Sequence, residues 1–331
     1  MLEEGIGSVF KDEGEIEIGF LLVPNFPLVC LSSALDVLRH ANDYAGVKRY
    51  RYRTYAEKGG TIRASNGLEI QAGTVIAEAA DPTLLFVCAG SAGGSEPLNG
   101  ETPETRKWLR HLSRNNTPLG GISAGTFILA RAGLMDGYQC AVHWDDATVF
   151  RETFPEIDLS NQVFIIDRDR FTCSGGAATI DMMLRIVAED LGPDIAAKVA
   201  EMMLVDRVRS TLDKQASAAL YKAKSRSEPL SRAIEAMEQN LEAPLTMIEL
   251  ASHITLTRRQ LHRLFRQHTG QTPTDFYRDL RLRHARSLLH GTPAKIIDVA
   301  MASGFGSHSH FTKVYRERFG VSPLKDRRAD L

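Results

Sequence analysis

The sequence predicts two folded domains: an α/β domain with an open, mostly parallel sheet flanked by helices, then an all-α domain with two helix-turn-helix units. Three observations predict this. The length of 331 residues exceeds one typical core of about 100–200 residues. Apolar runs alternate with helical stretches through the first part. Residues 221–331 hold 19 Lys and Arg against 11 Asp and Glu, although the whole chain has a net charge of −1. This imbalance indicates an anionic partner for the C-terminal domain.

The composition excludes several classes of protein. With 43% hydrophobic and 24% charged residues, it is typical of soluble globular domains. No apolar run reaches the roughly 18–20 residues that a membrane-spanning helix requires, and the N-terminus is acidic, so we expect a cytoplasmic protein without a membrane partner. The four cysteines are widely spaced, which favours reduced thiols over a disulfide or zinc framework. We expect no metal site and no cofactor.

The α/β domain begins with the strand-like run IEIGFLLVP from Ile16, followed by LVCLSSALDVLRHAN, which is apolar at helical spacing. Further strands are predicted at 83–90, 117–123 and 163–176, and helices around 103–114, 124–133, 145–153 and 177–191. Another helical stretch runs from Pro193 to about Leu220. Ligands bind at the C-terminal ends of parallel strands, so the candidate loops are 24–27, 89–94, 120–126, 140–146 and 172–178.

One of these loops contains Gly121-Ile122-Ser123-Ala124-Gly125, the G-x-S-x-G pattern of a serine nucleophile elbow. A serine nucleophile needs a base and a group that orients the base. His143 is the only histidine between Ser123 and the basic domain, and the order Ser123, Asp136, His143 leaves no room for the intervening strands of a hydrolase. We interpret the elbow as a tight turn with Ser123 facing a ligand pocket. The alternative is a serine hydrolase or amidase that uses Ser123 and His143.

In the C-terminal domain one helical unit occurs twice. Ile248-Glu249-Leu250-Ala251 aligns with Ile297-Asp298-Val299-Ala300, and Leu261, Phe265, Gly270 and Pro273 align with Phe311, Tyr315, Gly320 and Pro323. Each copy predicts two helices at the spacing of a helix-turn-helix. The predicted N-caps are Thr246 and Thr257 in the first copy, and Thr292 (followed by Pro293) and Ser307 in the second.

Segment 274–291 is predicted to be one helix that links the two units. It would allow both recognition helices to enter successive major grooves, about 34 Å apart. We expect its arginines to contact phosphate or water.

The second helix of each unit is predicted to have one apolar and one basic or polar face. Leu261, Leu264 and Phe265 face inward in the first copy, and Phe311, Val314 and Tyr315 in the second. Arg and Lys can pair with guanine edges and phosphates, and His, Ser and Thr suit mixed contacts with base edges. The predicted DNA-binding residues are Arg258, Arg259, His262, Arg263, Arg266, His308, Ser309, Thr312, Lys313 and Arg316.

Residues 228–325 resemble the DNA-binding domain of AraC/XylS transcription regulators. The resemblance rests on Ile248-Glu249-Leu250-Ala251, Leu261-x-x-Leu264-Phe265, Gly270-x-x-Pro273, Gly304-Phe305 and Phe319-Gly320-Val321-Ser322-Pro323. It maps the base-reading positions onto Arg259, His262, Arg263, His308, Ser309, Thr312 and Lys313.

Residues 14–205 resemble the class I glutamine amidotransferase-like, or PfpI-like, domain of GlxA-type regulators through FLLVPNF, SSALDVLRHAN, GGISAGTFILARAGLMDG, VHWDD and TCSGGAATIDMML. Enzymes of that superfamily carry a cysteine at the elbow, where this chain has Ser123, and an acidic residue that would fall near Leu28 or Val29. The resemblance therefore implies a non-enzymatic sensor domain that forms a homodimer. Residues 206–227 would be a connecting helix and linker, with the polar stretch KAKSRSEPLS at 222–231.

The resemblance implies a ligand-responsive transcriptional activator of catabolic genes, with double-stranded promoter DNA, a small effector and RNA polymerase as partners. Similar regulators respond to small nitrogen compounds such as arginine, carnitine or glycine betaine. A cationic effector requires an aromatic face or a carboxylate, and its own carboxylate requires N–H donors. A purely architectural DNA-binding protein is a third hypothesis. The predicted ligand-binding residues are Phe26, Asp36, Ser123, His143, Trp144 and Ser174.

Overall fold

A computed structural model describes residues 10, 14–90, 101–211, 213, 215 and 227–328. These residues form two compact units, the first ending at Gln215 and the second comprising 227–328. The first unit extends past residue 205, where we had expected the sensor domain to end. Residues 91–94 of the predicted loop 89–94 and residues 222–226 of the predicted linker lie outside the described residues.

A mostly parallel sheet forms the centre of the first unit. The strands are β1 (Ile16–Leu22), β2 (Tyr50–Ala56), β3 (Thr61–Arg63), β4 (Glu69–Gln71), β5 (Thr74–Val75), β6 (Leu84–Ala89), β7 (Leu119–Ser123), β8 (Gln139–Ala141), β9 (Asp158–Ser160), β10 (Phe164–Asp167) and β11 (Arg170–Cys173). Seven of them form one sheet in the order β10-β11-β7-β6-β1-β2-β5. Only β10 pairs antiparallel in that sheet. The predicted fold class is therefore confirmed.

The predicted strand at 163–176 is in fact a hairpin of β10 and β11. The chain reverses at Arg168, whose φ of 55° is left-handed, so one apolar run becomes two strands. Strand β2 was not predicted, because its exposed residues are mostly polar and do not form an apolar run. The registers place Cys88 of β6 and Cys173 of β11 both opposite Ile122 of β7.

Helices cover both faces of this sheet. They are α1 (Leu28–Ala45), α2 (Pro103–Arg114), α3 (Gly125–Arg131), α4 (Ala147–Thr153), α5 (Ala178–Leu191) and α6 (Pro193–Met202). Along β1, Phe20 and Leu22 pack in the core formed with α1, α5 and α6, whereas Leu21 packs in the core formed with α2, α3 and α4. This alternation follows from the two-residue period of a strand.

The last helix of the first unit is shorter than predicted. It ends at Met202, and Leu204 has a left-handed φ of 55°. Residues 203–211 are not helical, so the helix predicted to about Leu220 is wrong over this range. Residues 216–220 lie outside the described chain.

The second unit is helical. It contains α7 (Glu228–Gln239), α8 (Met247–His253), α9 (Arg258–Thr269), α10 (Pro273–Gly291), α11 (Ile296–Ala302), α12 (His308–Phe319) and α13 (Pro323–Arg328). Helix α10 divides its apolar residues between two cores. Phe276, Tyr277 and Leu280 pack with α7, α8 and α9, whereas Ala285 and Leu288 pack with α11 and α12.

One predicted cap in this unit is wrong. Thr292 does not begin α11, because it ends α10 and its hydroxyl donates to the Leu288 carbonyl at 2.8 Å. Lys295 is the N-cap of α11, and its side chain makes no capping hydrogen bond.

Among the described residues, no helix is long and apolar enough to cross a membrane.

Candidate functional site

The first helix-turn-helix comprises α8 and α9, and both helices begin with a capping box. The Thr246 hydroxyl accepts from the Glu249 N–H at 3.2 Å, and the Glu249 carboxylate accepts from the Thr246 N–H at 2.8 Å. Thr257 and Gln260 make the same reciprocal pair at 3.3 and 2.8 Å. The hydrogen bonds from Thr246 lower the pKa of Glu249. These caps fix where the two helices start, as predicted.

The recognition helix α9 buries Leu261 and Phe265 completely and Leu264 partly. The opposite face carries the basic residues. Arg258, Arg259, His262, Arg263 and Arg266 are all exposed.

The second recognition helix, α12, repeats this arrangement. The Ser307 hydroxyl accepts from the His310 N–H at 3.4 Å, so Ser307 caps the helix as predicted. Phe311, Val314 and Tyr315 are buried. Of the predicted DNA contacts, His308, Ser309, Lys313 and Arg316 are exposed and Thr312 is half-buried.

The arginines of the linking helix α10 interact with other residues of the same domain. Arg278 pairs with Asp275 at 2.8 Å, Arg283 with Asp279 at 2.9 Å and Arg286 with Asp326 at 3.0 Å. Arg281 lies 4.2 Å from the centre of the Phe305 ring, and burial lowers the pKa of its guanidinium. The side chains of Arg278, Arg283 and Arg286 are nevertheless nearly half-exposed, so the expectation that these arginines contact phosphate or water stays a prediction.

The cations on the recognition faces differ from those on α10. Within the described chain, Arg258, Arg259, Arg263, Lys313 and Arg316 form no ion pair with an acidic residue. Arg266 donates to the carbonyl of Gly270 at 3.2 Å, at the end of its own helix. Arg266 also attracts the Asp275 carboxylate, but the other cations of these two faces have no acidic partner among the described residues.

A second candidate site surrounds Ser123, at the C-terminal edge of the sheet. Ser123 ends β7 with a left-handed φ of 57°, and α3 begins two residues later. At Gly125 a Cβ would lie 1.9 Å from the Val87 carbonyl oxygen, so only glycine fits against β6. The predicted sharp turn is present, and the close approach made by Gly125 is to the protein's own backbone.

The loop after β11 lies against this serine. A Cβ on Gly175 would be only 2.8 Å from the Ser123 Cβ. Ser174 is buried, and its hydroxyl donates to the Val163 carbonyl at 3.1 Å. The loop that carries Ser174 and Gly175 therefore lies against Ser123, which is 9% exposed.

His143 and Trp144 follow β8. Their ring centres are 5.2 Å apart, and the Trp144 side chain is 39% exposed. The Nδ1 atom of His143 accepts from the Asp145 N–H at 3.3 Å. In the described chain no hydrogen bond joins His143 to Ser123, so the two do not form a nucleophile–base pair.

Two predicted ligand-binding residues lie elsewhere. Phe26 is fully buried in the core, so its ring offers no face to a ligand. Asp36 is exposed in the middle of α1 and pairs with Arg39 at 3.2 Å. Sequence proximity to the first loop suggested both residues, but the Phe26 ring is enclosed by the core and the Asp36 carboxylate is engaged by Arg39.

The thiols near the elbow are buried. Cys30 accepts from the Gly176 N–H at 3.0 Å, and burial raises the pKa of its thiol. Burial also raises the pKa of Cys173 to about 12. Such thiols stay protonated and unreactive at neutral pH. Among the described residues, no three His, Cys, Asp or Glu side chains are grouped to hold a metal ion.

A cavity of about 640 Å³ lies at the other edge of the sheet, where α1 ends and β2 begins. No motif in the sequence predicted this cavity. Each of its three cations has an acidic neighbour: Arg39 pairs with Asp36, Arg51 pairs with Glu17 at 2.6 Å, and Lys48 lies 4.0 Å from Glu15. The cavity therefore does not present uncompensated charge to a ligand.

Two family models match the chain. The DJ-1/PfpI family model matches residues 18–189, and a helix-turn-helix domain model matches residues 250–329. The HTH-type transcriptional regulator CdhR of Pseudomonas aeruginosa is 40% identical over 308 residues, which cover 93% of this chain and 90% of CdhR. The chain belongs to the AraC-type transcriptional regulators with a DJ-1/PfpI domain.

A second regulator and a solved structure are also similar to this chain. The HTH-type transcriptional regulator GlxA of Rhizobium meliloti is 38% identical, and the match covers 94% of this chain and 95% of GlxA. The crystal structure of an AraC family transcriptional regulator from Pseudomonas putida is 27% identical, with a TM-score of 0.52. It covers 57% of this chain and 99% of that chain.

These relatives decide between the hypotheses drawn from the sequence. They are named as transcriptional regulators, so the chain is a DNA-binding regulator of transcription, as predicted, and not an enzyme. The hydrolase alternative is wrong, and the elbow is a structural feature of a regulator's N-terminal domain.

Proposed function

We propose that this regulator reads promoter DNA with the outward faces of α9 and α12, and that a small nitrogen-containing metabolite controls it. The observation that carries the first part is the contrast between the unneutralised cations of these faces and the paired arginines of α10. The proposed DNA contacts are Arg258, Arg259, His262, Arg263, Arg266, His308, Ser309, Thr312, Lys313 and Arg316.

Substitution of one cation on each face tests the proposed DNA contacts. The probe is a duplex selected from random sequences by the full-length protein. Arg263→Ala and Lys313→Ala should each weaken binding by about 1–3 kcal/mol, because each removes a contact to a base or phosphate. Fluorescence anisotropy measures the loss.

Arg283→Ala is the matched control, because it removes the same charge from α10, where Arg283 pairs with Asp279. We expect it to change the affinity by less than about 0.5 kcal/mol, as is usual for surface positions. Equal losses for Arg263→Ala and Arg283→Ala would argue against the proposed faces.

The effector site that we propose is the elbow, with Ser123, His143, Trp144 and Ser174 as contacts. Trp144 offers a half-exposed aromatic face, which suits an ammonium or guanidinium group. Within the described chain the Ser123 hydroxyl has no hydrogen-bond partner and can donate to a carboxylate. Arginine-like amino acids and quaternary amines such as carnitine or glycine betaine combine both groups. Phe26 and Asp36 are not part of this proposal.

A thermal-stability screen of the full-length protein against amino acids, betaines and polyamines tests the site. A ligand at about 100 times its Kd adds roughly 2.7 kcal/mol of stability. Trp144→Ala should remove the shift. Tyr44→Ala should keep it, because Tyr44 is an equally exposed aromatic residue on α1. A shift that survives Trp144→Ala would contradict the proposed site.

The remaining parts of the proposal concern assembly. The regulator acts in the cytoplasm as a homodimer through its sensor domain, whose described residues end at Gln215, and a connecting segment joins this domain to the DNA-binding domain (228–325). It activates catabolic genes together with RNA polymerase. Light scattering of the purified protein should give twice the mass of the chain, and a promoter fusion should lose expression when the regulator is deleted. A monomer, or increased expression, would contradict this.

A further inference from the structure

The chain that leaves α6 stays attached to the sensor domain. We call residues 205–211, 213 and 215 the strap. The Arg209 N–H donates to Asp181 Oδ1 at 2.7 Å, and its guanidinium donates to Oδ2 at 2.6 Å. Asp181 is 3% exposed. Loss of Arg209 would leave a buried carboxylate without its cation, which is costly, so the strap is firmly held at this point.

Gln215 fastens the other end of the strap to the His143 loop. Its Nε2 donates to the Val142 carbonyl at 2.7 Å, and its Oε1 accepts from the Trp144 N–H at 2.8 Å. The same Nε2 donates to the Gln162 carbonyl at 2.9 Å. Gln215 is 8% exposed, so these hydrogen bonds are largely shielded from water. One side chain thus bonds the residues on both sides of His143.

A second path joins the strap to Ser123. The Val163 N–H donates to the Asp213 carbonyl at 2.9 Å. The Val163 carbonyl accepts from the N–H and hydroxyl of Ser174 at 3.0 and 3.1 Å. Ser174 precedes Gly175, which lies against Ser123. The strap is therefore bonded to both loops that carry the proposed effector contacts.

We propose that the strap couples the elbow site to the DNA-binding domain, with Gln215 as the positioning residue. The inference rests on the proposed function of the elbow. While the strap is attached, residues 216–227 connect the sensor to α7; when the hydrogen bonds of Gln215 and Asp213 are broken, the connection begins after Arg209, which stays paired with Asp181. An effector that moves the His143–Trp144 loop changes the hydrogen bonds of Gln215. It thereby changes the length of chain available to the DNA-binding domain.

Coupling between two sites is reciprocal, so DNA binding must also alter the loops that hold the strap. Residue-resolved hydrogen exchange on the full-length protein, free and bound to its selected duplex, tests this without an effector. We expect DNA to change the exchange rates of the Trp144, Val163 and Ser174 amides at least about fivefold, in either direction. The Tyr50 amide, which donates to Asn42 at 2.8 Å, should not respond. Unchanged exchange at the first three amides would overturn the proposal.

Two substitutions separate coupling from simple stability. Gln215→Ala should abolish the response to DNA. Asn42→Ala should keep it, because Asn42 also bonds two backbone groups, those of Tyr50, but at the other edge of the sheet. If Gln215→Ala does not fold, Gln215→Asn, which is one methylene too short, takes its place. A response that persists without Gln215, or disappears in Asn42→Ala, would overturn the proposal.

The outcomes also distinguish this inference from the proposed effector function. If a compound of the screen stabilises the protein but DNA does not change the exchange rates, the proposed effector site is supported and the proposed coupling through the strap is overturned. DNA-dependent exchange without stabilisation by any compound would retain the coupling and remove the proposed effector class.

Discussion

At the scale of single residues, the tight turn predicted at the elbow has a strained backbone. Ser123 has a φ of 57°, a conformation that costs a non-glycine residue about 1–3 kcal/mol. The relatives are regulators, so this strain does not serve a nucleophile here. In our proposal it keeps the hydroxyl at the effector site.

Ser123→Gly should therefore stabilise the first unit by about 0.5–1 kcal/mol, because glycine adopts this φ without strain. Calorimetry should show an increase in Tm of about 2 °C. Asn116→Gly is the control: Asn116 has a similar φ of 59°, but asparagine tolerates the left-handed region better, so the gain should be smaller. A lower Tm for Ser123→Gly would show that the hydroxyl itself stabilises the fold.

At the scale of elements, the two helix-turn-helix units are alike in their cores and unlike in their caps. Both helices of the first helix-turn-helix and the recognition helix of the second helix-turn-helix have Thr or Ser N-caps. The N-cap residue of helix α11 is instead Lys295, whose side chain makes no capping hydrogen bond. The sequence placed the cap at Thr292 because Thr-Pro is a common helix start, but that hydroxyl is used by α10.

Substitution of the N-cap residue should consequently change the stability of the DNA-binding domain in opposite directions in the two helix-turn-helix motifs. Thr257→Ala should destabilise the DNA-binding domain by about 1 kcal/mol, because the first turn of α9 loses a hydrogen-bond acceptor. Lys295→Ser should stabilise it by about 0.5–1 kcal/mol, because it supplies one to α11. Urea unfolding of both variants measures these changes. A loss of stability in Lys295→Ser would mean that the lysine makes a contribution of its own.

At the scale of the whole molecule, the two units have separate cores and opposite charge. Residues 1–220 hold 21 Lys and Arg against 30 Asp and Glu, whereas residues 221–331 hold 19 against 11. Association with DNA therefore depends on the second unit. Helix α13 is bonded to two other helices of that unit, because Asp326 of α13 accepts from Tyr315 of α12 at 2.6 Å and from Arg286 of α10 at 3.0 Å.

This junction should make the second unit sensitive to acid. Burial raises the pKa of the Asp326 carboxyl, but the hydrogen bonds from Tyr315 and Arg286 outweigh burial and hold the pKa below its ordinary value of 3.8. The stabilisation is thus complete above pH 3.8 and is lost as the pH falls through the lower value of the folded state. The protection factors of the α12 amides, which correct the exchange rates for the pH dependence of an unstructured amide, should therefore fall over that range.

Asp326→Asn should remove most of this pH dependence, whereas Asp298→Asn, at an exposed position on α11, should retain it. An unchanged acid response in Asp326→Asn would show that other carboxylates dominate.

The sequence by itself determined the fold class, the helix repeat and the basic faces of α9 and α12, because helical periodicity, caps and charge are local properties. Only the tertiary structure decided which polar residues meet. It buried Phe26, paired the arginines of α10 and divided the run at 163–176 into two strands. It also fastened Gln215 to the His143 loop. Gln215 bonds mainly to backbone groups distant in sequence, and any residue type supplies such groups. No pattern in the sequence therefore marks these contacts.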